Sequence, residues 1–573
     1  MRSTDAESPP LPPPSPAVTL ENTTELLNHL LPAAMSITCF TSRWQVIRSK
    51  LAVVKSLLSE ISDSPHWSEN LLLVNLLPEI LSTLRRTETL CNLCGDSASS
   101  FSRGKLLMQS DLDMAAGWLS KQIKDLDLLV RSGVLHQSTA IVLSRPDATS
   151  SRAEIVFFVK DLFTRLQIGG LEFKRKALES LIQLLTEDEK SAAVVAREAN
   201  VSSLISLLDL NGHDSIRELA VTAVSLLVSA GDLPRKSVFE EGALGPLLRV
   251  IESGSMSMKE KAAMAVELIT SDPDNAWAIS AYGGVHILID LCKSGSLAAQ
   301  SHAAGAIRNI STVEDIRTAL AEEGAIPILI QLLVSGSPSA QGKTANCIST
   351  LASTNEHFRA LLLQEKGLQR LLHLFYQCSN PEISEHVLRA IYSLSVSDAC
   401  YRMLSGSTAF IVQIAELVKN GNIMVQHISA SLLANLAISD GNKRAISCCM
   451  GFLIKLMESI KPDGMQEVGA KALLSLLSVK SNRKEFVRDE KCLMRLVKML
   501  DPGNDIVPKK FPAAIVAAIM AGGSQGCRKK LVAAGAYGHL QRLAEQEVAG
   551  AKRALQRLSA NRLTSLLSRK WRG

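Results

Sequence analysis

The sequence predicts an all-α protein: a helical bundle followed by a solenoid of short stacked helices. Three observations point there. Apolar residues make up 46% of the chain but aromatic residues only 4%, a Leu- and Ala-rich composition that suits packed helices better than sheets. Apolar residues recur at i, i+3, i+4 and i+7, the stripe of an amphipathic helix. One phrase, EEGAIPILIQLL at 322–333, returns as EEGALGPLLRVI at 240–251 and as YGGVHILIDLC at 282–292.

Composition narrows the function classes before any motif is read. The net charge of +6 over 573 residues gives a weak overall field. No apolar run reaches the roughly 18–20 residues that a membrane span needs; the richest, LLLVNLLPEIL at 71–81, is broken by Asn75 and Pro78. The start, MRSTDAESPPLPPPSP, has no apolar signal core, and Arg2 removes the N-myristoylation pattern. Eleven Cys without regular spacing fit reduced thiols. The expected location is therefore the cytosol or nucleus, or the periphery of a membrane, rather than outside the cell.

In chain order, residues 1–18 form a Pro/Ser tail. Its PPLPPPSP favours polyproline geometry, either as a disordered end or as a ligand for a Pro-binding module. Residues 20–135 form the bundle. Within 41–62, Trp44, Ile47, Leu51, Val54, Leu58 and Ile61 are spaced 3, 4, 3, 4, 3, one stripe of a long helix. Further helices are expected over about 66–92 and 108–130, separated by the loop 94–104. Residues 137–152 are polar and form a candidate linker.

From 155 to 560 the repeat takes over. Its leading positions are Val159, Val201, Leu244, Val285, Ile326, Leu368, Ile411, Leu453, Leu493 and Tyr537, with gaps of 40 to 44 residues. About 24 residues after each leader comes a second phrase, such as AAGAIRNIS (303–311), VLRAIYSLS (387–395) or SLLANLAIS (431–439). Two phrases on one such period mark a helical solenoid, here of nine or ten units. Gly242, Gly283 and Gly324 precede leading helices, where a tight turn calls for positive φ.

The phrase GAIPILIQLL followed by AGAIRNI resembles the armadillo repeat. That resemblance implies a right-handed superhelix whose third helices line a concave groove that holds extended peptides. LPEILSTLRRTETLCNLC and GKLLMQSDLDMAAGWLSKQIKDL are similar to the N-terminal region of plant U-box/armadillo proteins. Such proteins carry a U-box of roughly 70 residues between bundle and repeats, and here the gap is too short and lacks the motif. The closest likeness is a plant armadillo-only type, without the platform for ubiquitin-ligase activity. A ubiquitin-pathway component without its own U-box remains an alternative.

Motifs that carry chemistry are scarce in the sequence. GSPSAQGKT (336–344) has five residues where a P-loop needs four, and no strand precedes it, so no nucleotide is expected. Cys91 and Cys94 lack a second ligand pair, and no His-Glu-x-x-His or Gly-x-Ser-x-Gly occurs. The expectation is no enzyme, no cofactor and no metal.

The resemblance places a peptide-binding row on the third helices. Asn309, Thr350, Ser393, Asn435 and Ser475 hold its small polar position. His302, Lys343, Asn346, His386, Arg389 and Lys471, four or seven positions earlier, share that face. None of these is acidic, so the expected partner is an extended acidic or phosphorylated segment. Phe375 and Tyr392 are the nominated apolar anchors. The C-terminal 549–573 adds Lys552, Arg553, Arg557, Arg562, Arg569, Lys570 and Arg572 without an acid. One reading is a capping helix followed by a free basic tail at 561–573; the other is a membrane-surface adaptor using that segment. Nucleic acid is disfavoured.

Overall fold

The protein is described by a computed structural model covering residues 15–64, 66–95, 104–132, 150–354, 356–522 and 524–559. It is helical throughout, with no strand among the described residues. The chain divides into two compact units, Met1–Ile269 and Thr270–Gly573.

The first unit begins with four long helices: α1 (Pro16–Met35), α2 (Thr41–Ser62), α3 (Leu71–Gly95) and α4 (Lys105–Ser132). In α2 the buried residues are Trp44, Ile47, Leu51, Val54, Leu58 and Ile61, the stripe expected from the sequence. The start of α1 shortens the expected tail. Ser15 caps it by accepting from the Val18 amide, and Pro16 occupies its first turn, where a missing N–H costs nothing. Residues 1–14 and most of the expected loop 94–104 and linker 137–152 lie outside the described residues.

Two helices follow, Arg152–Ile168 and Leu171–Glu187. The first opens with a capping box between Ser151 and Glu154. Ile168 and Phe173 pack against the bundle's apolar core, so the bundle and the first repeat helices share one interior. Asp161 and Arg165 form an ion pair of 2.7 Å inside the first of these helices, with Asp161 fully buried. Burial holds the Asp161 carboxyl above its ordinary range, opposed by the Arg165 hydrogen bond. Three-helix repeats then begin, with third helices at Asp214–Ser229 and Met256–Ile269.

The second unit continues the same pattern. In each repeat a short first helix leads into a second helix that carries the recurring apolar phrase. Ile326, Leu329, Ile330 and Leu333 are buried in Ala325–Ser335, and Val285, Leu288, Ile289 and Cys292 in Gly284–Ser294. The third helices are α5 (Leu297–Ile310), α6 (Pro338–Thr354), α7 (Pro381–Leu394), α8 (Ile423–Asn435), α9 (Met465–Leu476) and α10 (Lys510–Ile519). Each packs on the next in chain order.

Gly283 and Gly324 enter their second helices with φ of 65° and 78°. At the corresponding turn of the next repeat stands Lys366, with φ of 61°. Gly367 follows it, and a Cβ there would lie 2.7 Å from the Leu362 carbonyl oxygen. The glycine is therefore held one position late by a close backbone approach, which leaves the lysine in the left-handed region. The P-loop-like Gly342, Lys343 and Thr344 lie within α6. Their amides belong to a helix rather than to a phosphate cradle.

Candidate peptide-binding face

The candidate face is built on α5 to α9, whose stacking sets equivalent residues side by side. Asn309, at the end of α5, is 8% exposed. Its Oδ1 accepts from Arg308 Nη2, and its Nδ2 donates to Thr270 Oγ1 at 3.2 Å. Both ends of the carboxamide therefore have a partner within the protein. Ser393 Oγ and Ser349 Oγ lie 3.2 Å apart across α7 and α6. Thr350 Oγ1 donates back to the Asn346 carbonyl at 3.2 Å. Asn435 is exposed at the end of α8, and Ser475 is half-buried on α9. One sequence row therefore holds two kinds of residue, some knitting neighbouring helices and others facing solvent.

The second row is more accessible. His302, Lys343, Asn346, His386 and Arg389 are half-buried, and Lys471 is exposed. The expectation of a face without acids is corrected. Arg389 Nη2 lies 2.9 Å from Glu385 Oε1, and Glu385 Oε2 accepts from Asn422 Nδ2 at 3.1 Å. Lys471 Nζ lies 2.7 Å from Glu467 Oε1, and that hydrogen bond holds the Glu467 carboxyl below its ordinary range. Glu385 and Glu467 both stand eight residues before a member of the polar row, at Ser393 and Ser475. Spacings of four and seven sampled only part of the helix face; adding i−8 finds both acids.

Two imidazoles sit at the centre. Burial pushes His386 below the ordinary histidine value, Glu385 opposes this, and Arg389 and Arg308 add to it. Burial lowers His427 as well, with Arg389 adding to it. Both rings are therefore neutral at pH 7. His386 Nδ1 and His427 Nε2 are buried without a hydrogen-bond partner.

The two nominated anchors part company. Phe375 is 5% exposed, with its ring 5.7 Å from Phe410 and 5.5 Å from Tyr376, so it belongs to the core and cannot hold a ligand. Tyr392 is half-buried on α7, and Val396, four residues on, is 70% exposed. Val396 was missed because it falls in the turn after α7, beyond the helical pattern.

At the C-terminal end, Arg557 Nη1 donates to the Ala517 carbonyl at 2.7 Å, while Ala551, Ala554 and Leu558 are buried. That arrangement ties the helical residues 551–559 to α10. Arg562, Arg569, Lys570 and Arg572 lie outside the described residues. No group of three or more metal-ligating side chains occurs among the described residues.

A profile described as a domain of unknown function (DUF7032) matches residues 21–134. The armadillo/beta-catenin-like repeat profile matches residues 272–312, the repeat that ends in α5 and contains Asn309. Among solved structures, an engineered protein is 24% identical, with 70% of this chain and 98% of that chain covered and a TM-score of 0.58. A designed armadillo repeat protein in complex with the peptide (KR)4 is 22% identical, covering 41% of this chain and 98% of that one, with a TM-score of 0.38. No curated protein matches the chain. Residues 272–312 are thus an armadillo/beta-catenin-like repeat, and helices of the same order and spacing continue it as a solenoid of the armadillo-repeat fold.

Proposed function

We propose that the protein is a non-catalytic scaffold that binds extended segments of other proteins along the face formed by α5 to α9. The observation that carries this is the polar surface that remains after packing: Lys343 and Asn346 on α6, Asn435 on α8 and Ser475 on α9 stay at least partly exposed. A side-chain amide donates to one peptide carbonyl and accepts from one N–H, so such a row suits a main chain lying across it. Each neutral hydrogen bond nets only about 0.5–1.5 kcal/mol, so a micromolar complex needs further contributions. Tyr392 and Val396 supply an apolar anchor.

With Arg389 and Lys471 paired to acids, the preference for acidic or phosphorylated segments rests on Arg308, and it is modest. The scaffold works in the cytosol or nucleus. Fluorescence polarisation with matched acidic, phosphorylated and basic decapeptides tests the proposal. Binding of the acidic or phosphorylated series, lost in the Asn346→Ala, Asn435→Ala double variant, is the expected result. A preference for the basic series, or equal binding by the double variant, would move the site elsewhere.

A further inference from the structure

Charge is unevenly placed along the chain. Residues 525–573 hold eleven Lys and Arg against two Glu, although the whole chain is only +6. The preceding 524 residues are therefore net negative, and the C-terminal end is a positive pole.

A cavity of about 260 Å³ opens at this pole, beside the helix Gln525–Ala533. Arg528, Lys529, Gln525, Tyr537, Val532 and Leu558 line it, and no carboxylate does. Arg528 Nη2 donates to the Arg557 carbonyl at 3.4 Å, but Arg528 Nε is buried with no acceptor. Neither Arg528, Lys529, Lys530 nor Arg553 joins an ion pair among the described residues. The Arg528 guanidinium fork matches the oxygens of a phosphate. A second cation beside it suits a doubly charged phosphomonoester.

We propose that this cavity receives the phosphomonoester headgroup of an anionic phospholipid, and that the basic pole seats the chain on a lipid surface. The sequence beyond Ser559 favours lipid over nucleic acid as the source of phosphate. It adds Arg562, Arg569, Lys570 and Arg572 interleaved with Leu563, Leu566, Leu567 and Trp571, and no acid. Cations interleaved with leucines and a tryptophan suit the headgroup boundary of a bilayer, whereas a nucleic-acid backbone offers no apolar layer for the leucines. Each cation near an anionic surface adds roughly fivefold in affinity. The site shares no residue with the third-helix face, so it stands whether or not that face binds peptides.

Co-sedimentation of the full chain tests it, using vesicles of phosphatidylcholine alone, with phosphatidylserine, or with phosphatidic acid. Expected are no pelleting with phosphatidylcholine and stronger pelleting with phosphatidic acid than with phosphatidylserine. The Arg528→Gln, Lys529→Gln double variant should lose roughly tenfold or more on phosphatidic acid. Lys529→Glu alters an exposed side chain only, and should show a loss of the same direction with an unchanged thermal midpoint. Equal pelleting on the two anionic lipids would leave charge alone and overturn the headgroup site. So would unchanged pelleting of Lys529→Glu. If inorganic phosphate protects the chain as well as the vesicles do, the ligand is a soluble phosphate. If an RNA oligonucleotide at equal phosphate displaces the vesicles, the pole serves nucleic acid. Either result overturns the lipid source.

Discussion

Asn309 and Asn435 occupy the same place in the repeat yet differ in what surrounds them. Asn309→Ala removes two bonds from a buried carboxamide and leaves Thr270 Oγ1 without that donor, a loss of about 1–2 kcal/mol. Asn435→Ala alters an exposed side chain, and its thermal midpoint should match wild type. Calorimetry on the two single variants reads the difference; equal midpoints would mean that Asn309 is not tied in. Lys366 offers a gain. Its positive φ costs a residue with a Cβ about 1 kcal/mol, so Lys366→Gly should raise stability by about that amount. His386 and His427 give a pH dependence with a definite sign. Glu382, Glu385, Arg389 and Arg308 act on the first, and Arg389 on the second. Both folded-state values lie below the ordinary 6.5, so the unfolded chain takes up protons first as pH falls. Their stability contribution is complete above 6.5 and declines below it. The His386→Gln, His427→Gln variant should show a flatter midpoint profile from about pH 7.5 to 5.

At the scale of the element, legibility depended on what fills the buried stripe. The α2 stripe is wholly apolar, and its six buried residues were readable from spacing alone. In α1 the stripe includes Thr19 and Thr23. Each satisfies its hydroxyl by donating to the carbonyl four residues earlier, at 3.1 Å and 2.6 Å. Two polar letters in the pattern hid the beginning of a helix whose polar atoms are satisfied internally. The second helices of the repeats are at the opposite extreme. Leu329 is fully buried in Ala325–Ser335. Leu329→Asp places an unpaired charge in that interior and should lower stability by several kcal/mol. A denaturant midpoint within error of wild type would show that the phrase does not face the core.

Across the whole chain, the N-terminal helices are more than an appended bundle. Ile168 and Phe173 of the first repeat helices pack on the bundle's core, so the bundle covers an end that a terminal repeat would otherwise expose. Phe173→Ala should lower the stability of the N-terminal unit by about 2–3 kcal/mol, less than a fully buried Phe because Phe173 is only half-buried. Hydrogen exchange localises the effect: protection should fall in α4 as well as in Leu171–Glu187. A change confined to Leu171–Glu187 would mean that the two parts are independent. The sequence alone determined the helices, their repeat and the faces they bury, because apolar spacing and turn glycines are local properties that a period of 40 to 44 residues repeats. Only the tertiary structure decided which polar side chains of the third helices are free. Asn309 and Asn435 read the same in one dimension; whether a neighbouring turn supplies a Thr270 to satisfy the amide is a matter of residues 39 apart in sequence meeting in space.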